Sequence, residues 1–208
     1  MVKVPENAKE QLLAAAKKLF SRQGLAGTTV RELADEAGVN LSLVSYYFDG
    51  KEGLYRACLE QFGRARLEAG EKVLQIPKSR EELRIRVEMF VEGIIGAHFQ
   101  EPELAAMVHK ECDSEVPVIE DIFRNTFLQM FERLNRFLEG AKKNGLLRED
   151  VEPFFASIHL ISLLIHPCRM ERNMKKFHGV SLADGIFREK FKSHLVSVFL
   201  GGVAKEGV

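Results

Sequence analysis

The tightest constraint on the fold is a three-residue connection, Gly38-Val39-Asn40, lying between two short segments that both carry helical periodicity. Before it, Val30, Leu33, Ala34 and Ala37 recur at i, i+3, i+4 and i+7, and Thr29 with Glu32 three residues on has the spacing of a reciprocal capping box. After it, Asn40 is placed to cap the next helix, with Val39 and Val44 at the spacing of a hydrophobic staple and Val44 and Phe48 on the inner face. A turn this short, made through a glycine, holds two helices at a steep angle, so the pair needs a third helix to cover it. That helix is predicted upstream, from an Asn7 cap with Glu10 as reciprocal partner, through Ala8, Leu12, Ala16, Leu19 and Phe20, to a stop at Gly24. The outward face of residues 40–48 is left with Leu41, Ser42, Ser45 and Tyr46, flanked by Leu43 and Tyr47. Two leucines and a tyrosine on so short an exposed face are costly in water unless they meet something.

Downstream, every periodic segment is again helical. A fourth helix starts near Lys51 and carries Leu54, Cys58, Leu59 and Phe62 past Arg66, until Ile76-Pro77 breaks the pattern. Ser79 with Glu82 opens the next, Pro102 a short one, and Pro117 a long amphipathic one reaching Gly145. An apolar helix over residues 154–165 is expected to kink at Pro167, and a last helix follows Ser181 and ends at Gly201-Gly202. No run with period 2 competes, so the fold class is all-α with about nine helices. The expected division is a helix-turn-helix domain over residues 1–50, a connecting helix over 51–66 and a larger helical domain over 67–208.

The run Thr28-Thr29-Val30-Arg31-Glu32-Leu33-Ala34-Asp35-Glu36-Ala37-Gly38-Val39, followed by Tyr46-Tyr47-Phe48 and by Lys51-Glu52-x-Leu54, closely resembles the DNA-binding signature of the TetR family of bacterial repressors. The resemblance implies a homodimer with one helix-turn-helix per subunit on a palindromic operator of double-stranded DNA. Carried over position by position, it places Asn40, Leu41, Ser42, Leu43, Ser45 and Tyr46 at base edges or the adjacent backbone, Tyr47 and Lys51 at phosphates, and Thr29 and Arg31 at the backbone. Ser45 departs from the family, most of whose members carry an aromatic there. It further implies a repressor released by a small, mostly apolar effector, in the bacterial cytoplasm and on the nucleoid when bound to DNA. The alternative on the same scaffold is a DNA-binding structural or cell-division protein with a protein partner and no effector.

Charge argues for a modest electrostatic contribution. The chain has 30 Lys and Arg against 30 Asp and Glu, and residues 1–66 hold 10 against 8, so few phosphate contacts per subunit are expected. Between Arg31 and Lys51 there is no Arg, Lys or Gln to read guanine or adenine bidentately. Serine hydroxyls, leucine contacts to thymine methyls and DNA shape are what remain for specificity.

In the larger part, Phe90, Ile94, His98, Phe123, Phe127, Met130 and Phe131 are the candidate lining of a ligand pocket, although such stripes are equally the material of an ordinary core. Phe154, Phe155, Ile158, Ile161 and Ile165, with Phe187, Phe191 and Leu195, are the candidate dimer interface, because a helix apolar on nearly all sides is unsuited to a monomer surface. His109, Cys112 and Asp113 share a helical face but lack a fourth ligand at a telling distance, and His166-Pro167-Cys168 fares no better, so no metal or cofactor is expected. Neither a phosphate loop nor a nucleophile elbow is present, which speaks against an enzyme. Three dispersed cysteines suit a reducing compartment, and neither an export signal nor a membrane span is expected.

Overall fold

A computed structural model describes residues 7–112 and 119–205. Among them are eleven helices: α1 (Ala8–Gly27), α2 (Val30–Ala37), α3 (Ser42–Phe48), α4 (Lys51–Val73), α5 (Arg80–Gln100), α6 (Pro102–Cys112), α7 (Glu120–Asn125), α8 (Phe127–Lys143), α9 (Pro153–Arg169), α10 (Glu171–His178) and α11 (Gly185–Val203). The fold class is all-α, as expected; the only extended pairing among the described residues is one isolated antiparallel bridge between Leu147 and Ala204. Two more helices are found than the sequence pattern predicts. The segment read as one long helix is broken at Thr126, which leaves helical geometry (φ −128°, ψ −73°), and α10 was not anticipated because none of its residues is buried. Pro117, expected to open that long helix, lies outside the described residues.

The chain divides into two compact units, one of residues 1–65 and 101–127, the other of 66–100 and 128–208. This differs from a single cut near residue 66, and α6 supplies the reason. Its Leu104, Ala105, Met107 and Val108 are buried in the same core as Leu12, Ala16 and Phe20 of α1, so residues 101–127 complete the N-terminal core rather than the C-terminal one. Helix α4 contributes residues to both units.

In the first unit, the expected Asn7 cap does not form, since its side chain accepts no bond from the helix. Gly24 does interrupt α1, at φ 75° and ψ 178°, but a further turn follows it before the chain extends at Thr28. The buried Thr28 hydroxyl closes that turn by donating to the Gly24 carbonyl at 2.8 Å. The break at Thr126 has an equally local cause. Its hydroxyl donates to the Ile122 carbonyl at 2.7 Å, and the side chain packs where Gly63 of α4 has no Cβ. In the second unit, α5, α8, α9 and α11 share a core of Leu83, Val87, Phe90, Leu134, Phe137, Leu160, Leu164, Val196 and Phe199. Ser79 caps α5 as predicted, accepting from the Glu82 amide at 3.1 Å. Pro167 sits in the last turn of α9, which runs through it to Arg169.

Candidate nucleic-acid interface

The interface is assembled from caps. The Thr29 hydroxyl accepts from the Glu32 amide at 3.2 Å while Glu32 accepts from the Thr29 amide at 2.8 Å, the reciprocal box that the spacing predicts. The Thr29 hydroxyl also donates to Glu32, and these bonds hold the Glu32 carboxyl below its ordinary range. Gly38 ends α2 in the left-handed conformation (φ 66°), which a glycine adopts without strain, and the Val39 amide returns to the Ala34 carbonyl at 3.0 Å. Asn40 then acts as the cap of α3. Its carbonyl oxygen Oδ1 accepts from the Ser42 amide at 2.9 Å and from the Ser42 hydroxyl at 2.7 Å, and Leu41 is already helical in its backbone.

The outward face is mostly as the sequence indicates. Leu41 is 47% exposed and Tyr46 75%, with Ser42 and Ser45 beside them. Tyr47 is half-buried, its ring edge-on to that of Tyr46 with centroids 4.9 Å apart. Leu43 is a correction: it is 8% exposed and packs in the core with Val44 and Phe48. Helical spacing explains this, since 43, 44 and 48 fall on one inner arc. Arg31 stands exposed on α2.

Lys51 has a role that the sequence did not reveal. Its ammonium donates to the carbonyls of Leu25 and Thr28, both at 2.9 Å, pinning the start of α4 to the end of α1 and leaving one N–H. The left-handed Asp49 (φ 58°) and Gly50 (φ 99°) make the turn that brings it there. The rest of this unit is braced in the same manner. Tyr55, buried and raised above its ordinary pKa chiefly by burial and then by Glu111, donates to Glu111 at 2.7 Å, and Lys17 pairs with Glu101 at 3.2 Å. Cys58 is buried, its thiol pushed up to about 12.

The second unit holds a groove of about 320 Å³ along α4 and α5. Phe90, Ile94 and Met130 line it as expected, joined by Val73 and Met89, with Arg66, Glu92 and Gln100 as its polar members. The room comes from Ala69, Gly70, Gly93, Gly96 and Ala97, small residues spaced along the two helices. The other expected lining residues lie elsewhere. Phe123 and Phe127 belong to the first unit, where Phe127 meets Phe62, and Phe131 stacks edge-on with Phe154. Helical spacing puts a residue on a face but not in a unit, which is why these were grouped together. His98 sits half-buried beside Phe99, its pKa lowered by burial against the opposing charge of Glu171.

Phe154 (52% exposed), Phe155 (59%) and Ile158 form an uncovered apolar face on α9, with Ile161 and Ile165 half-buried. On α11, Phe187 and Phe191 are half-buried, whereas Leu195 is in the unit's own core and so is unavailable to a partner. Ile186 and Val198 are the exposed apolar residues of that helix. His109 and Cys112 lie on α6, and Asp113 lies outside the described residues. No group of His, Cys, Asp or Glu among the described residues is arranged to hold a metal ion. Cys168 is buried, its thiol pushed up to about 11 by burial. No helix among the described residues is long and apolar enough to cross a membrane.

Comparison with known proteins agrees with this geometry. The model of the bacterial regulatory proteins of the tetR family matches residues 12–58, which run from α1 into α4. YttP of Bacillus subtilis (strain 168), a probable HTH-type transcriptional regulator, is 28% identical over 166 residues, 77% of either chain. CecR of Shigella flexneri, an HTH-type transcriptional dual regulator, is 49% identical over 55 residues, 26% of this chain and 24% of its own. Among solved structures, the ketosteroid transcriptional regulator KstR2 of Mycobacterium tuberculosis superposes with a TM-score of 0.75 at 18% identity, covering 98% of each chain.

Proposed function

Because the chain belongs to the TetR family of transcriptional regulators and binds DNA in that capacity, we propose that it is a cytoplasmic, homodimeric repressor whose hold on a palindromic operator is released by a small apolar molecule. The observation that carries the reading is the outward face of α3, where Leu41 and Tyr46 stand in solvent on a helix fixed at both ends. Thr29, Arg31, Asn40, Leu41, Ser42, Ser45, Tyr46, Tyr47 and Lys51 are its proposed DNA contacts; Lys51 has one N–H left for a phosphate, so part of its contribution is to aim α3. Electrophoretic mobility shift on genomic fragments tests the assignment. Tyr46→Ala is expected to weaken binding about tenfold or more with an unchanged melting temperature. Unaltered binding by both Tyr46→Ala and Arg31→Ala sinks the contact surface.

The domain roles follow from the same reading: residues 1–65 with 101–127 as the DNA-binding head, the remainder as the effector and dimerisation part. The groove supports an effector over the reading as a structural or cell-division protein, since its volume is at the lower end of those that hold small molecules. Release requires that the effector bind the DNA-free conformer more tightly than the operator-bound one. The α9 face supports dimerisation, since exposed phenylalanines of this number are unfavourable on a monomer. Phe155→Glu is expected to give a monomer in sedimentation and a hundredfold or so weaker operator binding; a dimer that survives both this change and Phe154→Glu overturns the interface.

A further inference from the structure

The hydrogen bonds between Asn40 and Ser42 fix which base chemistry this surface can read. Oδ1 of Asn40 accepts from the backbone amide of Ser42 at 2.9 Å, and an amide N–H can meet only an acceptor, so the carboxamide has one orientation and its NH2 group is turned away from α3. The same Oδ1 lies 2.7 Å from the Ser42 hydroxyl oxygen. Since Oδ1 has no hydrogen to give, the hydroxyl proton is committed to it. A serine normally rotates to donate or to accept, but Ser42 is left with lone pairs only. Both residues are exposed on the outward face with Leu41 and Tyr46.

In the major groove, cytosine and adenine present an amino donor, whereas guanine and thymine present keto oxygens in the corresponding position. An acceptor-only hydroxyl therefore selects an amino base and rejects a keto base, whose oxygen faces its lone pairs. From this we infer that Ser42 is a specificity-determining residue that recognises the exocyclic amino group of one cytosine or adenine per half-site, and that Asn40 is the positioning residue that makes it an acceptor. The inference rests on the DNA-binding reading but is separable from it. It draws on the two side chains and on the Ser42 amide that orients them. It gives the serine hydroxyls expected to act beside leucine contacts and DNA shape a definite chemistry.

The test is selection of binding sites from a random duplex pool by the purified full-length protein and by Ser42→Ala, Ser42→Thr and Asn40→Ser. Serine remains a good helix cap, so Asn40→Ser keeps the helix while removing the carboxamide, and thermal melting monitors folding of each variant. The wild type should prefer adenine or cytosine at one position of the half-site by roughly threefold to tenfold, the worth of one hydrogen bond. Ser42→Ala should abolish the preference at that position only, and Ser42→Thr should retain it. Asn40→Ser should let the freed hydroxyl donate, so that keto bases are accepted there as well, a change that loss of helix stability alone does not produce. A wild-type motif that Asn40→Ser and Ser42→Ala leave unchanged at every position overturns the inference while leaving the DNA-binding reading intact. Failure of the wild type to select any motif overturns both.

Discussion

Both units pair an apolar core with polar bonds between helices, and they differ in how completely their apolar surface is filled. In the first, Lys51 ties to Leu25 and Thr28 and Tyr55 to Glu111 between helices, while Thr29 with Glu32 and Asn40 with Ser42 cap single helices. The second has such ties too, Asn144 to Pro77, Lys142 to Val151 and Arg86 to Val73, but a groove is left between its small residues, and Phe154, Phe155 and Phe177 stand uncovered. A cap or a tether has one geometry, and losing a partner leaves a desolvated group behind, so helices joined in this way have little freedom to rearrange. An apolar wall with a flexible Met130 in it has many geometries of similar energy. The lesson is that bonds with direction hold a surface in one arrangement, while contacts without direction leave a groove wall room to adapt.

Two glycines of the same helix give the sharpest way to break this comparison. A Cβ on Gly63 falls 2.5 Å from Oγ1 and 2.8 Å from Cβ of Thr126, a buried, branched side chain pinned to the Ile122 carbonyl. A Cβ on Gly70 meets only the end of Met130, at 2.3 Å from its sulfur and 2.4 Å from its methyl. The gain in helix propensity is the same for both changes, so the difference isolates the neighbour. Gly63→Ala should therefore destabilise by about 2–3 kcal/mol and Gly70→Ala by under about 1 kcal/mol, measured by urea denaturation. Equal costs mean that the first unit is no more rigid than the second.

Lys51→Met removes a directed tether but keeps the aliphatic stem. It leaves the Leu25 and Thr28 carbonyls without their donor, and a loss of about 1–2 kcal/mol is expected after discounting for partial solvent exposure. Operator affinity should fall with stability, because α3 runs directly into the Asp49-Gly50 turn that the tether anchors. A drop in affinity with no change in melting makes Lys51 a phosphate ligand alone.

How far these features are legible in the sequence depends on the range of the interaction. The Thr29 box, the Gly38 turn and the Ser79 cap are written within four residues, and all three form where the spacing puts them. Asn7 has the same spacing and forms no box, which shows that a cap pattern permits the bond without enforcing it. The inner face of α3 was readable, but Leu43 was assigned to solvent because an i, i+4 stripe does not state how wide the buried arc is. What no local pattern contains is a partner distant in sequence. Lys51 reaches back 26 and 23 residues, Tyr55 forward 56, and Phe123 and Phe127 belong to the first unit only because Ile122 and Thr126 join its packing. The groove was half legible: its apolar lining was named, while the glycines that open it passed as ordinary helix residues.

The smallest expected effect concerns the Thr29 box, which has both a neutral and an ionic bond. Thr29→Ala removes the hydroxyl cap and should cost about 1 kcal/mol at neutral pH. The ionic part is isolated by Glu32→Gln, since a glutamine accepts from the Thr29 amide without carrying charge. The folded state holds the Glu32 carboxyl below its ordinary value of 4.5, first through the Thr29 side chain and then through its backbone amide. A depressed carboxyl stabilises the fold while it is ionised, so its contribution is complete above pH 4.5 and is lost as the pH falls through the folded value. The melting temperature of Glu32→Gln should accordingly lie slightly below the wild type at pH 7 and meet it in acid. A gap that persists undiminished below that range assigns the difference to packing rather than to charge, and leaves this corner of the first unit held by neutral hydrogen bonds.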